Sequence, residues 1–171
     1  MDKQKSPIDR PTVILPEEGT PFAFGEVGGQ FKITGRDSGE RFVVAHLADI
    51  PPNVLAAPLH RHHNEDEYSY VLEGTLATLL EDEMVIAEPG TWVCKPRGQW
   101  HTFWNAGDTP CHIIEIVSPA GFEGYFQEVA AAQGDMERLA LINAKYSIEM
   151  DFESIPALCE RFGLVSPDLE S

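Results

Sequence analysis

The feature that most constrains this chain is a long series of short strand-like runs, each broken by glycine, proline, asparagine or aspartate. Runs of this length, separated by turn sequences such as Asn105-Ala106-Gly107-Asp108, are typical of β-strands. The expected strands are 12–15, 30–34, 41–47, 68–72, 75–80, 84–87, 91–95, 101–104 and 112–117. Many short, evenly spaced strands favour a sandwich or barrel, so we predict an all-β domain.

The pattern changes to that of a helix after residue 118. Phe122, Phe126 and Val129 recur at steps of three and four residues, which predicts a helix that enters an alanine run ending at Gly134. Two more helices are predicted, one from near Asp135 through Leu139 and Ile142, and one from Ser154 with Pro156 just inside its start and Gly163 just past its end. The chain therefore ends in a helical tail.

Composition narrows the range of partners. The 171 residues are 43% hydrophobic and 23% charged, which is ordinary for a folded globular domain, and they carry a formal net charge of −16. A surface this acidic repels phosphate backbones and anionic lipids, so we expect neither nucleic acid nor membrane as a partner. No apolar run approaches the ~18 residues of a membrane span, and the start of the chain is too polar for a signal peptide, so we expect a cytoplasmic protein.

The chemically informative stretch begins at His60. In a strand, alternate residues face the same side, so His60 and His62 present two imidazoles to one point. Imidazole suits zinc, copper, iron, cobalt and nickel, and a carboxylate shifts the preference toward an ion with an octahedral field. Glu67, which opens the next apolar run, is the natural carboxylate.

These residues resemble the two motifs of the cupin superfamily. The first motif, G-x5-H-x-H-x(3,4)-E-x6-G, is matched by His60, His62, Glu67 and Gly74. The second motif, G-x5-P-x-G-x2-H-x3-N, is matched by Gly90, Pro96, Gly98, His101 and Asn105. The sequence departs from the pattern at the opening glycine, where it has Val54, and this departure concerns the entry into the strand rather than the ligands.

The resemblance implies a fold, a cofactor and a division of the chain into three segments. The implied fold is a double-stranded β-helix, or jelly-roll barrel, in which His60, His62, Glu67 and His101 hold one divalent transition-metal ion. Iron, manganese, nickel or cobalt is expected, with zinc as the alternative. We expect an arm with the first strands at 1–40, the cupin barrel core at 41–119 and the helical tail at 120–171.

Two residues are candidates for the wall of the substrate pocket. Phe103 lies two residues beyond His101 on the same face of a strand and is expected to line an apolar pocket. Glu115 lies in an otherwise apolar run, where a charge is costly unless it is paired or used. Either Glu115 faces the pocket as an acid or base, or it faces solvent.

Cys94 and Cys111 lie in apolar runs and are expected to be buried.

The resemblance is greatest to quercetin-dioxygenase-like cupins, and it implies a metal-dependent dioxygenase. In that interpretation the substrate is a small aromatic or β-dicarbonyl-like molecule, dioxygen is the second substrate, and Glu67 is the catalytic proton acceptor. Two alternatives remain open: a metal-dependent isomerase or lyase, and a cupin that binds a small ligand without catalysis. A homodimer is expected, because barrels of this kind leave a sheet face exposed.

Overall fold

The computed structural model describes residues 12–24, 26–132 and 135–166. Within these ranges the strands are β1 (Thr20–Phe24), β2 (Val27–Ile33), β3 (Val43–Ile50), β4 (Leu59–His62), β5 (Asp66–Glu73), β6 (Leu76–Leu80), β7 (Glu83–Ala87), β8 (Trp92–Lys95), β9 (His101–Asn105), β10 (Cys111–Ser118) and β11 (Ile148–Asp151). The helices are α1 (Gly35–Ser38), α2 (Glu123–Ala132), α3 (Met136–Tyr146) and α4 (Ile155–Phe162), and Phe152–Ser154 form a 3₁₀ turn before α4.

The strands form two antiparallel sheets. One sheet has six strands in the order β1-β2-β3-β10-β5-β8, and the other has five in the order β11-β4-β9-β6-β7. The mixed order arises because successive strands cross between the sheets, which is the jelly-roll arrangement. The all-β fold with a C-terminal helical tail is therefore confirmed.

Each sheet buries one of its faces, because successive side chains along a strand alternate between the buried face and the other face. In β10, Cys111, Ile113, Glu115 and Val117 point inward and the residues between them are less buried. Because a strand repeats every two residues, this phase places Glu115 among apolar side chains of the barrel interior. A second cluster lies on the far face of the five-stranded sheet, where Leu55, Ala77, Leu79 and Trp104 pack against Ile155 and Leu158 of α4.

The strands differ from the sequence predictions in three places, all near the ends of the chain. The strand predicted at 12–15 is wrong: this segment has no regular structure, and Val13 is 79% exposed. The unpredicted β1 follows it and pairs with β2, and both belong to the six-stranded sheet. The tail also contains an unpredicted strand, β11, which pairs with β4.

The turn before the first motif takes its special conformation at a residue other than glycine. Val54, which stands in place of the motif glycine, is buried, and the left-handed backbone falls one residue earlier, at Asn53 with φ of 58°. Asparagine tolerates this region better than most residues because its short polar side chain bonds locally. Val54 also bridges to Val165 in the tail. The entry into the strand is thus retained without the glycine.

The tail helices begin and end largely where their capping residues predict. Asp135 caps α3 by accepting hydrogen bonds from the backbone N–H groups of Glu137 and Arg138. Gly163 ends α4 in the left-handed region, with φ of 68°. The predicted end of α2 at Gly134 lies outside the described residues. Among the helices the structure describes, none combines the length and apolar character needed to cross a membrane.

We predict that α4 unfolds together with the barrel. Leu158 is 7% exposed and packs on the five-stranded sheet, whereas Leu141 of α3 is 69% exposed. Leu158→Ala should lower the free energy of unfolding by about 2–4 kcal/mol because it leaves a cavity. Leu141→Ala, the matched control, should change it by less than about 0.5 kcal/mol. Urea denaturation followed by far- and near-ultraviolet circular dichroism measures both; equal effects would show that α4 does not contribute to the cooperative core.

Candidate metal centre and its cavity

Four side chains from three strands and their neighbouring turns meet at one point inside the barrel. His60 and His62 alternate along β4, and His60 lies directly opposite His101 of β9. Glu67 enters from β5 in the other sheet. One nitrogen or oxygen from each residue lies within 4.8 Å of all the others, and all four residues are buried. The residues predicted to be ligands are therefore brought together.

Each imidazole of the cluster is oriented by an oxygen behind it. Nδ1 of His60 lies 2.8 Å from the carbonyl oxygen of Pro58, and Nδ1 of His101 lies 3.0 Å from that of Gln99. A carbonyl only accepts, so each Nδ1 carries the proton and each Nε2 keeps a lone pair. Nδ1 of His62 faces Oε2 of the buried Glu65 at 3.4 Å, which is longer than a normal hydrogen bond. This is the arrangement found around histidines that bind metals.

The contact between His101 and Glu67 tests whether a cation fits the cluster. Nε2 of His101 lies 2.7 Å from Oε2 of Glu67. With Nδ1 of His101 already donating to a carbonyl, a neutral imidazole places a lone pair against a carboxylate lone pair. Either a proton or a metal ion must lie between two such acceptors. Three neutral imidazoles and one carboxylate are also a usual donor set for a divalent transition metal, so the residues fit this ion.

Charge favours the same protonation states. Burial lowers the pKa of His60 well below its ordinary value, and the neighbouring histidines lower it further. Burial alone would raise the pKa of Glu67, but Lys95 and His62 outweigh this effect, and the pKa lies well below its ordinary value. Neutral imidazole and ionised carboxylate are the forms that bind metal ions.

A second polar group lies beside the cluster and was not predicted from the sequence. Lys95 is 2% exposed, and its Nζ lies 3.3 Å from Oε2 of Glu67 and 3.0 Å from Oε1 of Glu115. The hydroxyl of Ser69 donates to Oε2 of Glu115 at 2.6 Å. Burial alone would lower the pKa of Lys95, but the two carboxylates outweigh it and raise the pKa. Burial raises the pKa of Glu115, against the opposing effect of Lys95.

Register explains why these groups meet. Glu67 of β5 lies directly opposite Lys95 of β8, and Ser69 of β5 lies directly opposite Glu115 of β10. Glu67 and Ser69 are two residues apart and share the inward face of β5. The cross-strand pairs therefore place one ammonium between two carboxylates.

An apolar cavity of about 90 Å³ opens onto both polar groups. His60, His62, Glu67, Lys95 and Glu115 line one part of it. Aromatic rings form much of the remaining wall: Phe22, Phe31, Phe103, Phe122, Tyr125 and Phe126. Phe122 of the segment entering α2 packs its ring 4.4 Å from that of His62. The first strands and the tail thus contribute walls to the cavity.

The structure places the predicted pocket residues in this cavity and reverses one burial prediction. Phe103 and Glu115 both line the cavity, which selects the inward alternative for Glu115. Cys111 is buried as expected, but the prediction for Cys94 is wrong, because Cys94 is exposed. The alternation of β8 turns Val93 and Lys95 inward instead. A carboxylate in an apolar run needs a cation beside it, so Glu115 was the sequence signal for a buried cation, and Lys95 is that cation.

Sequence comparison matches the central part of the chain to a known family. Residues 46–117 match the family model described as "Cupin domain". "Mannose-1-phosphate guanylyltransferase 2" of Escherichia coli O157:H7 is 30% identical over 87 residues, covering 51% of this chain and 18% of that protein. "Tetracenomycin polyketide synthase protein TcmJ" of Streptomyces glaucescens is 33% identical over 60 residues, covering 35% of this chain and 40% of that protein. The chain thus matches less than half the length of either relative.

Solved structures resemble about two thirds of the chain. KdgF from Halomonas sp. has a TM-score of 0.57 at 15% identity, covering 66% of this chain and 99% of that one. A predicted oxalate decarboxylase from Thermotoga maritima has a TM-score of 0.55 at 22% identity, covering 63% and 99%. A sugar phosphate isomerase from a cupin superfamily, from Silicibacter pomeroyi, has a TM-score of 0.53 at 19% identity, covering 63% and 75%. At these identities the likeness shows the fold alone.

We predict that the buried ammonium is needed for stability. Lys95→Met should lower the free energy of unfolding by about 3–5 kcal/mol, because it leaves Glu115 buried without a cation. Adding Glu115→Gln should restore part of this loss, because no charge is then left unpaired. Lys145→Met is the control, since Lys145 pairs with Glu128 at the exposed surface, and its effect should be small. Urea denaturation of the wild type, Lys95→Met, Glu115→Gln, the double variant and the control gives the coupling; additive losses in the double variant would contradict it.

Proposed function

We propose that this chain, whose residues 46–117 match a cupin domain, is a metal-dependent dioxygenase acting on a small aromatic or β-dicarbonyl-like substrate. The observation that carries the proposal is the buried cluster of three histidines and one glutamate, three members of which (His60, His62 and Glu67) line an apolar cavity with aromatic walls. Iron, manganese, nickel or cobalt fits this donor set, with zinc as the alternative. A divalent ion held by His60, His62, Glu67 and His101 would supply Lewis acidity toward the substrate or dioxygen.

The protein groups around this set have separable tasks. The carbonyl groups of Pro58 and Gln99 hold two imidazoles in the tautomer that binds metal. Glu67 is ionised and accepts the proton of an enol or phenol substrate. The aromatic walls, with Phe103 among them, exclude water from the reacting groups.

One relative supports the choice of substrate. The relative from Streptomyces glaucescens is named as a polyketide synthase protein, and polyketide chains carry β-dicarbonyl groups. Such groups form enolates that bind through oxygen, which suits a site with hard or borderline ions.

A metal-dependent isomerase or lyase is the second candidate. Lys95 and Glu115 line the same cavity and provide a proton donor and acceptor beside the cluster, which is sufficient for chemistry without dioxygen. Two of the similar structures are described as an isomerase and a predicted decarboxylase.

The homodimer and the cytoplasmic location expected from the sequence stay predictions. Met84 and Ile86 of β7 and Trp92 of β8 are each about half exposed, and both strands are sheet edges. Exposed apolar side chains of this kind support the expectation of a second copy as the partner.

We predict that the protein binds one divalent ion per chain. His62→Ala should weaken binding at least about 100-fold, because even changes behind a ligand cost 10–100-fold. His63→Ala is the matched control, since His63 lies next in the chain, is exposed and contacts Glu149 outside the barrel. Elemental analysis after loading with iron, manganese, nickel, cobalt or zinc measures both variants. A wild-type protein that cannot be loaded would overturn the proposal.

We predict oxygen uptake by the loaded protein with flavonols or 1,3-diketones, and none with His62→Ala. An oxygen electrode, together with product analysis by mass spectrometry, checks this result. Turnover that continues under strict anaerobiosis would favour the isomerase or lyase instead. Loaded protein that consumes no oxygen across both substrate panels would contradict the dioxygenase.

A further inference from the structure

The position of Lys95 is unfavourable in free energy in two ways. A buried ammonium loses the hydration that stabilises it in water, and only its carboxylate partners offset this loss. Nζ of Lys95 also lies 3.3 Å from Oε2 of Glu67, one of the four residues of the candidate metal cluster. A cation this close to a carboxylate that would bind a divalent ion repels that ion. Metal binding alone therefore does not explain the position of Lys95.

The ammonium has a donor left for a ligand. Lysine has three N–H donors, and its two ion-pair contacts, with Glu67 and Glu115, can occupy no more than two of them. Within residues 12–24, 26–132 and 135–166 the remaining contact of Nζ is the face of Phe103, with 5.4 Å to the ring centroid. Lys95 lines the cavity, so an acceptor for the third donor can come from a molecule in that space.

We propose that Lys95 binds an anionic oxygen of the substrate, and that Glu115 positions Lys95 for this contact. The inference rests on the proposed metal-dependent function and adds to it the charge of the substrate. Glu115 is itself fixed by the hydroxyl of Ser69 at 2.6 Å, so its carboxylate holds the ammonium on the wall of the cavity. A charge-assisted hydrogen bond in an apolar cavity is short and strong, which makes Lys95 a specificity-determining residue.

Charge and shape together define the substrate class. The ammonium of Lys95 offers its remaining N–H to the cavity, and an anionic acceptor, a carboxylate or an enolate, makes the stronger hydrogen bond with it. The remaining wall is apolar and includes the rings of Phe103, Phe122 and Phe126. The substrate is therefore a small, flat, apolar molecule with one anionic oxygen group.

The experiment compares a charged and a neutral probe of the same shape. Protein loaded with Co²⁺ is titrated with benzoate and with benzamide by isothermal calorimetry. Lys95→Met should weaken benzoate binding by about 10–100-fold, the value of one charge-assisted hydrogen bond, and should weaken benzamide binding much less, because the amide oxygen is a neutral acceptor. Lys145→Met, which removes an exposed lysine, should change neither affinity. Equal affinities for benzoate in the wild type and Lys95→Met would overturn the inference.

The affinity for Co²⁺ separates binding of an anion from a structural role. Lys95→Met should bind Co²⁺ at least as tightly as the wild type, because a repelling cation is removed. A lysine that only supported Glu67 would give the opposite result, a loss of Co²⁺, and this loss would overturn the inference. Glu115→Gln should keep Co²⁺ and lose part of the preference for benzoate, because Lys95 is then less well held.

Two outcomes distinguish this inference from the proposed function. A wild-type protein that binds no Co²⁺ overturns both, whereas a loaded protein without preference for benzoate over benzamide overturns the substrate charge alone. The double variant Lys95→Met and Glu115→Gln removes both charges of the buried pair. It replaces Lys95→Met in the benzoate titration if that single variant does not fold. It should show the same loss of benzoate binding, and benzoate affinity equal to that of the wild type would overturn the inference.

Discussion

The candidate site depends on the register of β5 against its two neighbours. β5 presents Glu67 and Ser69 to the interior, β8 supplies Lys95 opposite the first, and β10 supplies Glu115 opposite the second. A slip of one residue in either pairing would turn the partner side chain to the outer face and leave a carboxylate buried without its cation. The buried charges therefore favour the correct register as much as the register places the charges. The apolar alternation of β10 has the same effect on that strand.

The orientation of the histidines depends on local backbone geometry rather than on distant side chains. Pro58 and Gln99 each lie two residues before the histidine whose Nδ1 they accept from, so the hydrogen bond is made within one turn of chain. His62 instead faces Glu65, three residues later. The tautomers of His60 and His101 are thus set by atoms that the motif segments themselves carry. The strands need only bring the two segments together, and the pairing of His60 with His101 does so.

The ligand set could be predicted because it depends on spacing, and the pocket could not because it depends on contacts between distant strands. Period two places His60 and His62 on one face of a strand, and the spacing of the two cupin motifs adds Glu67 and His101. Lys95 was missed because the apolar run 91–95 contains no signal for which alternate residues face inward. The phase of that strand is decided by its pairing with β5. The sequence did not decide which face of its strand Glu115 occupies, for the same reason. The strand at 148–151 was missed because a four-residue run between helices has too few positions to show alternation.

Much of the aromatic wall of the cavity comes from a different part of the chain than the polar groups of the site. All four residues of the cluster, with Lys95 and Glu115, fall within the segment 46–117 that matches the cupin domain. Phe22 and Phe31 come from the strands before it, whereas Phe122, Phe126 and Met150 come from the tail after it. A family member with the same central segment and different flanks would therefore have the same polar groups in a cavity of another shape. Since the shape and apolar character of a pocket select among substrates with the same reactive group, the substrate of this protein depends on residues outside the shared domain.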